Sequence, residues 1–226
     1  AIGRLGSLLQ RQFPDRAGVT VMKSLTKPSP DSPSAQLALG RLALGADELG
    51  LAQDAVDQAI ALRDDWTAAR LLRAELLQAQ DRPDAALAQY RRLFEAGERG
   101  PRLLSMAAVL AINTEAYALA EAILEAMREE PPGLVVQSRV LEGDMLRTRG
   151  EYAQSLAVLN EGLESHPRSM DLRYARALTR LMLEQVDQAV SELEALLDEQ
   201  PDDPRLLNAL GYTLIDRTDR LDAGAE

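Results

Sequence analysis

A small residue recurs along this chain at an almost constant interval. Gly40, Ala74, Ala108, Gly143, Ala177 and Gly211 stand 34, 34, 35, 34 and 34 residues apart. Twelve residues behind the first five of them runs a second series, Ala52, Ala86, Ala120, Ser155 and Ala189. Two helices bring their backbones close only where the side chains between them are small, so a unit with two such points reads as a helix pair. A helix pair cannot bury its apolar faces alone and must stack on its neighbours. The predicted fold class is therefore all-α, an α-solenoid of stacked antiparallel helix pairs. A fold of this kind binds partners along a surface and seldom performs chemistry.

Composition narrows the function classes. Aromatics are 4% against 46% hydrophobic residues overall, so Ala and Leu supply the core, as helix-on-helix packing favours. No apolar run approaches the roughly 20 residues that span a bilayer. There is no signal-peptide pattern, and the chain starts with Ala1 rather than Met; it reads as an excised or processed piece of a longer protein. Zero cysteines remove disulfides, thiolate metal ligands and Cys nucleophiles together, and leave the redox compartment open. The net charge is −11, and residues 1–32 hold five Lys/Arg against two Asp/Glu, which leaves the repeats at −14. Nucleic-acid binders need a basic face, so that class is set aside.

Laid out by the period, the repeats are 33–66, 67–100, 101–135, 136–169 and 170–203, with an incomplete sixth over 204–226. Each is predicted as helix A, a short turn, helix B and a loop. In the fourth, helix A is read over 135–150 and ends at Gly150, since glycine suits a left-handed cap. Helix B follows with Tyr152, Leu156, Leu159 and Leu163 at helical spacing. Pro167 closes the repeat, and Pro132 and Pro201 are assigned the same slot. Residues 1–13 read as helix B of a preceding incomplete repeat. Three prolines in 27–33 mark a linker, and 17–25 is readable as a short helix or an extended segment. Residues 204–217 read as a sixth helix A that leaves Leu206, Leu210 and Leu214 on an exposed apolar face.

These residues resemble the tetratricopeptide repeat, or TPR. The match to its pattern comprises the two small-residue series, a bulky turn position at Leu49, Pro83, Tyr117, Tyr152 and Val186, and a large apolar position at Val56, Tyr90, Leu124, Leu159 and Leu193. No Trp stands at the fourth position of any repeat, and Pro83 replaces the usual aromatic. The resemblance implies a TPR superhelix whose A helices line a concave groove, with positions two, five, nine and twelve pointing into it. The implied lining is Leu37, Arg41 and Leu44; Leu71, Glu75 and Gln78; Arg102, Ser105, Val109 and Ile112. It continues with Gln137, Val140, Asp144 and Arg147; Tyr174, Leu178 and Leu181; and Arg205, Asn208 and Tyr212. Aliphatic, aromatic and paired-charge groups in such a mixture suit a protein or peptide partner. The Lys and Asn with which some TPR domains clamp a C-terminal carboxylate are absent: Leu37 and Arg41 occupy those positions.

Nothing in the chain reads as an active site or a cofactor site, and no metal, cofactor or catalytic residue is assigned. His166 is the only histidine, beside Pro167 in a loop, and metal or triad chemistry needs companions. The acidic pairs Glu129–Glu130, Asp198–Glu199 and Asp202–Asp203 fall at helix ends and read as solvated charge. Met106, Met127 and Met145 sit at core phases of their helices, and Trp66 reads as a packing residue at the join of two repeats.

One local run carries a narrower resemblance. LNALGYTLIDRTDRLDAG (207–224) is similar to a segment of TPR lipoproteins of the proteobacterial outer membrane, in which an Asp-Arg-Thr-x-Arg turn follows Leu-Gly-Tyr. Here those residues are Leu210, Gly211, Tyr212, Asp216, Arg217, Thr218 and Arg220. Some such lipoproteins are adaptors that deliver substrates to a periplasmic carboxyl-terminal processing protease. That resemblance implies a non-enzymatic scaffold on the periplasmic side of the outer membrane, attached only through a lipid anchor on a missing N-terminal segment. Without it, a cytoplasmic scaffold is the expectation. The alternative function is a structural or self-assembly segment of a larger repeat protein, oligomerising through its N- or C-terminal helices.

Overall fold

A computed structural model describes residues 16–27, 30–129 and 132–217, and among them every regular element is an α-helix. In chain order these are α1 (Arg16–Thr26), α2 (Pro33–Gly45), α3 (Leu49–Leu62), α4 (Thr67–Ala79), α5 (Pro83–Glu95) and α6 (Pro101–Asn113). There follow α7 (Tyr117–Arg128), α8 (Pro132–Thr148), α9 (Tyr152–Ser165), α10 (Met170–Met182), α11 (Val186–Glu199) and α12 (Pro204–Arg217). The described helices group into two compact units, one ending at Ala116 and the other beginning at Tyr117. No described helix is long and apolar enough to cross a membrane.

The five bulky turn residues, Leu49, Pro83, Tyr117, Tyr152 and Val186, are each the first residue of a helix B. The turn before each has one geometry. Asp47, Asp81, Glu115, Gly150 and Glu184 all take positive φ, between +56° and +77°. Each of their amides donates to the carbonyl three residues back, as Asp47 does to Leu44 and Gly150 to Arg147. The next amide donates five residues back, as Glu48 does to Ala43 and Glu151 to Leu146, at 2.8 Å in both cases. This double bond pattern ends an α-helix on a left-handed residue and satisfies its last carbonyls. So short a turn folds helix B back antiparallel to helix A.

Within each pair the small residues sit where expected. Ala74, Ala108 and Ala177, and Ala52, Ala86, Ala120, Ser155 and Ala189, are all fully buried. The crossing is closest at Gly143, where an added Cβ would stand 2.8 Å from Leu159 Cδ2. Ser155 Oγ donates to the Gly143 carbonyl at 2.8 Å, tying α9 to the α8 backbone at the point where no side chain intervenes. At Gly40 the same Cβ would stand 3.1 Å from Val56 Cγ2, 3.3 Å from Leu72 Cδ2 and 3.6 Å from the Ala52 carbonyl oxygen.

The position that TPR sequences give to Trp is filled here by other chemistry. In the second compact unit Arg139 of α8 pairs with Glu142 and with Glu161 of α9, and Arg128 of α7 also holds Glu142. On α10, Arg173, Arg176 and Arg180 converge on the buried Glu192 of α11, while Arg173 also donates to Glu199. In the first unit Gln36 is buried and donates to the Pro30 carbonyl, and Leu104 is apolar and fully buried. Charge-assisted bonds between helices thus replace part of the aromatic seam.

Several expectations need correction. Helix A of the fourth repeat starts at Pro132, so residues 132–135 belong to that repeat and not to the third. Pro132 opens a helix, where its fixed φ and missing N–H cost nothing, whereas Pro167 and Pro201 lie in turns between helices. The ambiguous stretch 17–25 is helical and buries Val19 and Met22 against Leu39 and Leu42. Leu206, Leu210 and Leu214 are buried on α11, so the exposed apolar side chains of α12 are Leu207, Tyr212 and Ile215. Asp203 and Glu199 are held by Arg205 and Arg173 and are not simply solvated. His166 is half-buried at the end of α9. Trp66 packs half-buried beside Leu37 and Ala69. The reading of residues 1–13 and the turn from Thr218 onward lie outside the described residues.

Candidate functional site

In the second compact unit consecutive A helices pack side by side, α8 against α10, and the chain continues through α11 to α12. A cavity of about 600 Å³ opens along them. Its apolar floor is Val136, Val140 and Leu141 of α8 with Tyr174, Ala175 and Leu178 of α10. Its polar rim is Gln137, Asp144, Arg147, Asp171 and Arg205. The volume falls in the range of small-molecule and side-chain sites, roughly 300–1,000 Å³.

The rim charges are paired unequally. Arg147 Nη2 donates to Asp144 Oδ1 at 3.0 Å. The Nε of Arg147 is buried with no acceptor among the described residues. Arg205 is held by Asp203: its Nη2 donates to Oδ2 at 2.9 Å and its backbone amide to Oδ1 at 2.8 Å. Those hydrogen bonds keep the Asp203 carboxyl below its ordinary value. The Arg205 guanidinium lies 5.6 Å from the centre of the Tyr174 ring and 3.6 Å from Asp171. Such contacts are worth of order 1 kcal/mol or less at an exposed position.

The first compact unit carries a different arrangement. Arg102 of α6 donates to both oxygens of Glu75 on α4, at 2.7 and 2.8 Å. Beneath them Tyr90 is fully buried and donates to Gln78 Oε1 at 2.6 Å. Burial pushes the Tyr90 phenol well above its usual value, Glu75 pushes the same way and Arg102 opposes.

The predicted groove residues are distributed over the two compact units. Gln137, Val140, Asp144, Arg147, Tyr174, Leu178 and Arg205 come together at the cavity of the second unit. Glu75 and Arg102 form their own ion pair, Leu71 is half-buried on α4, and Arg41 is exposed on α2. Asn208 and Tyr212 are exposed on α12 and do not line the cavity. Leu37, which the periodic rule aims into the groove, is buried instead against Val56, Ala59 and Leu72. Sequence reasoning missed Val136, Leu141, Asp171 and Ala175. Asp171 stands at position two of its repeat, so the rule itself carried the signal; Leu141 and Ala175 lie one residue past position five, on the wall between neighbouring A helices.

Comparison with known proteins bears on the fold. Models of the tetratricopeptide repeat match residues 71–134 and 146–211. A TPR repeat-containing protein of Pseudomonas aeruginosa is 31% identical over 97 residues, a stretch that covers 43% of this chain and 16% of that protein. The chain thus spans about a sixth of that relative's length. Among solved structures, a tetratricopeptide repeat protein from Parabacteroides merdae superposes with a TM-score of 0.78 at 17% identity, covering 99% of this chain and 88% of that one. PilW, a type IV pilus biogenesis factor, gives 0.74 at 14% identity, with 92% and 96% covered. YrrB, a TPR protein with an unusual peptide-binding site, gives 0.60 at 20% identity, with 83% and 96% covered. The all-α, TPR-like solenoid class is shown by these likenesses. TPR proteins generally mediate protein–protein interaction and ordinarily serve as non-enzymatic scaffolds.

Proposed function

Because this chain carries tetratricopeptide repeats over residues 71–134 and 146–211, we propose that it is a scaffold whose A-helix face holds a segment of a partner protein. The seat of that segment is the cavity of α8, α10 and α12. One observation carries the reading: eight of the cavity's lining residues occupy groove positions of the repeat, and they present an apolar floor inside a charged rim. A site with that anatomy places its affinity in the buried apolar centre and its orientation in the polar edge.

The partner is a carboxyl-terminal processing protease, or a substrate the scaffold delivers to it, on the periplasmic side of the outer membrane. Support for this narrower role is the run 207–224 and its likeness to TPR lipoprotein adaptors. The test is calorimetric titration with a purified, catalytically inactive protease of that class. Binding is expected, and Leu178→Glu, which places a charge on the apolar floor, is expected to weaken it at least tenfold with the helical content unchanged. Equal affinity for the variant removes the cavity from the interaction, and no heat at all removes the protease as partner. A second reading, self-assembly, is favoured by Leu207 and Ile215, about half exposed, and Tyr212, 69% exposed, on α12. Sedimentation that shows only monomer across concentration disposes of it.

A further inference from the structure

We propose that the segment seated at the α8–α10–α12 cavity is an extended peptide that carries an aliphatic side chain next to a basic one. The inference rests on the cavity being the binding seat, and adds to it the chemistry of what enters. The floor is wholly hydrocarbon apart from the Tyr174 hydroxyl, and Val136, Val140, Ala175 and Leu178 leave room for a branched aliphatic group.

Charge selects the neighbouring residue. Two carboxylates, Asp144 and Asp171, line the cavity with two guanidiniums, Arg147 and Arg205, and Asp203 holds Arg205 from outside the lining. Arg205 gives its short bonds to Asp203, which leaves Asp171 with a single looser contact at 3.6 Å and 62% of its side chain exposed. Asp144 accepts from Arg147 through Oδ1, and its Oδ2 has no side-chain partner among the described residues. The rim therefore offers the oxygens of Asp171 and Asp144 to a cation, and the buried Nε of Arg147, which has no acceptor among the described residues, to a carbonyl of the peptide. The Tyr174 ring already has the Arg205 guanidinium 5.6 Å from its centre, so Asp171 is the group that receives an incoming cation. The net charge of −11 acts in the same direction at longer range, raising the encounter rate of basic segments and repelling acidic ones. A Lys or Arg beside the aliphatic anchor would reach Asp171 while the anchor fills the floor.

The test uses four capped hexapeptides, acetyl-Gly-Ser-Leu-Lys-Ser-Gly-amide and the same peptide with Leu replaced by Ser, or Lys replaced by Gln or by Glu. Each is titrated into the isotope-labelled protein and followed by amide chemical shifts. The Leu-Lys peptide is expected to shift the amides of Tyr174, Ala175 and Leu178 and to bind about 3–5-fold tighter than Leu-Gln, the scale of an exposed ion pair. Leu-Glu is expected to bind more weakly than Leu-Gln, and Ser-Lys to lose most of the binding. In Asp171→Asn, a conservative change at an exposed position, the Leu-Lys advantage over Leu-Gln is expected to vanish. Leu-Glu binding at these amides as tightly as Leu-Lys, or an advantage that survives Asp171→Asn, overturns the basic preference and leaves the cavity as the seat. Shifts at these amides by none of the peptides overturn both, and equal binding of Ser-Lys overturns the aliphatic anchor.

Discussion

Asp47, Asp81, Glu115 and Glu184 hold φ near +57°, where a β-carbon crowds the following carbonyl, and Gly150 holds +77° at the equivalent turn of the fourth repeat. The strain is accepted because the next amide, as in Arg82 to Leu77, can then close the helix end. Only Gly150 announced this turn in the sequence; the four acidic residues carry no such signal, because a side chain's type does not report a φ that neighbouring hydrogen bonds impose. Glu115→Gly is expected to raise the unfolding free energy by about 0.5–1 kcal/mol, the relief of the β-carbon less the entropy glycine brings to the unfolded chain. Gly150→Ala is expected to lower it by about 1 kcal/mol. Urea denaturation of both variants measures the pair, and a loss of stability in Glu115→Gly would show that its carboxylate does more than tolerate the turn.

At the scale of the element, the α8–α9 pair is the tightest of those whose glycines can be compared. Ala occupies the Gly143 position in three other repeats, and all three alanines are fully buried. The difference is the Ser155 hydrogen bond to the Gly143 carbonyl, which sets the separation of the two backbones, and Ser155 also meets the Thr179 hydroxyl at 3.0 Å. Gly143→Ala is expected to destabilise by about 1–2 kcal/mol even after its gain in helix propensity, because Leu159 must move. Gly40→Ala, whose nearest neighbours stand at 3.1 and 3.3 Å, is expected to cost less than Gly143→Ala. Thermal denaturation compares them, and an equal cost at both positions would refute the role of the Ser155 tie. The small-residue spacing was legible from sequence; which glycine could not become alanine was not, since that depends on a distance of a few tenths of an ångström between two helices.

Across the molecule, every substantial helix contact joins neighbours in the chain or A helices of successive repeats, such as α2 with α4 and α8 with α10. Stability is then a sum of local terms and nearest-neighbour interfaces. Leu193 is fully buried between α10, α11 and α12 with Leu196, Leu206 and Leu210. Leu193→Ala is expected to cost about 2–5 kcal/mol locally. Hydrogen exchange is expected to show lost protection in α10, α11 and α12 before α7, and simultaneous loss in α7 would instead mean that the second unit opens as one piece. By itself the sequence determined the fold class, the helix pairing and most residues of the cavity, because a period repeated in register needs no distant information. Only the tertiary structure decided which polar residues stay available to a partner. Arg173 and Arg176 bond across helices to the buried Glu192, while Leu37 was drawn into the core. Asp171 was left open at the cavity mouth because Asp203 had taken its arginine. Such choices turn on competition among side chains from three helices, and no spacing along one chain records that competition.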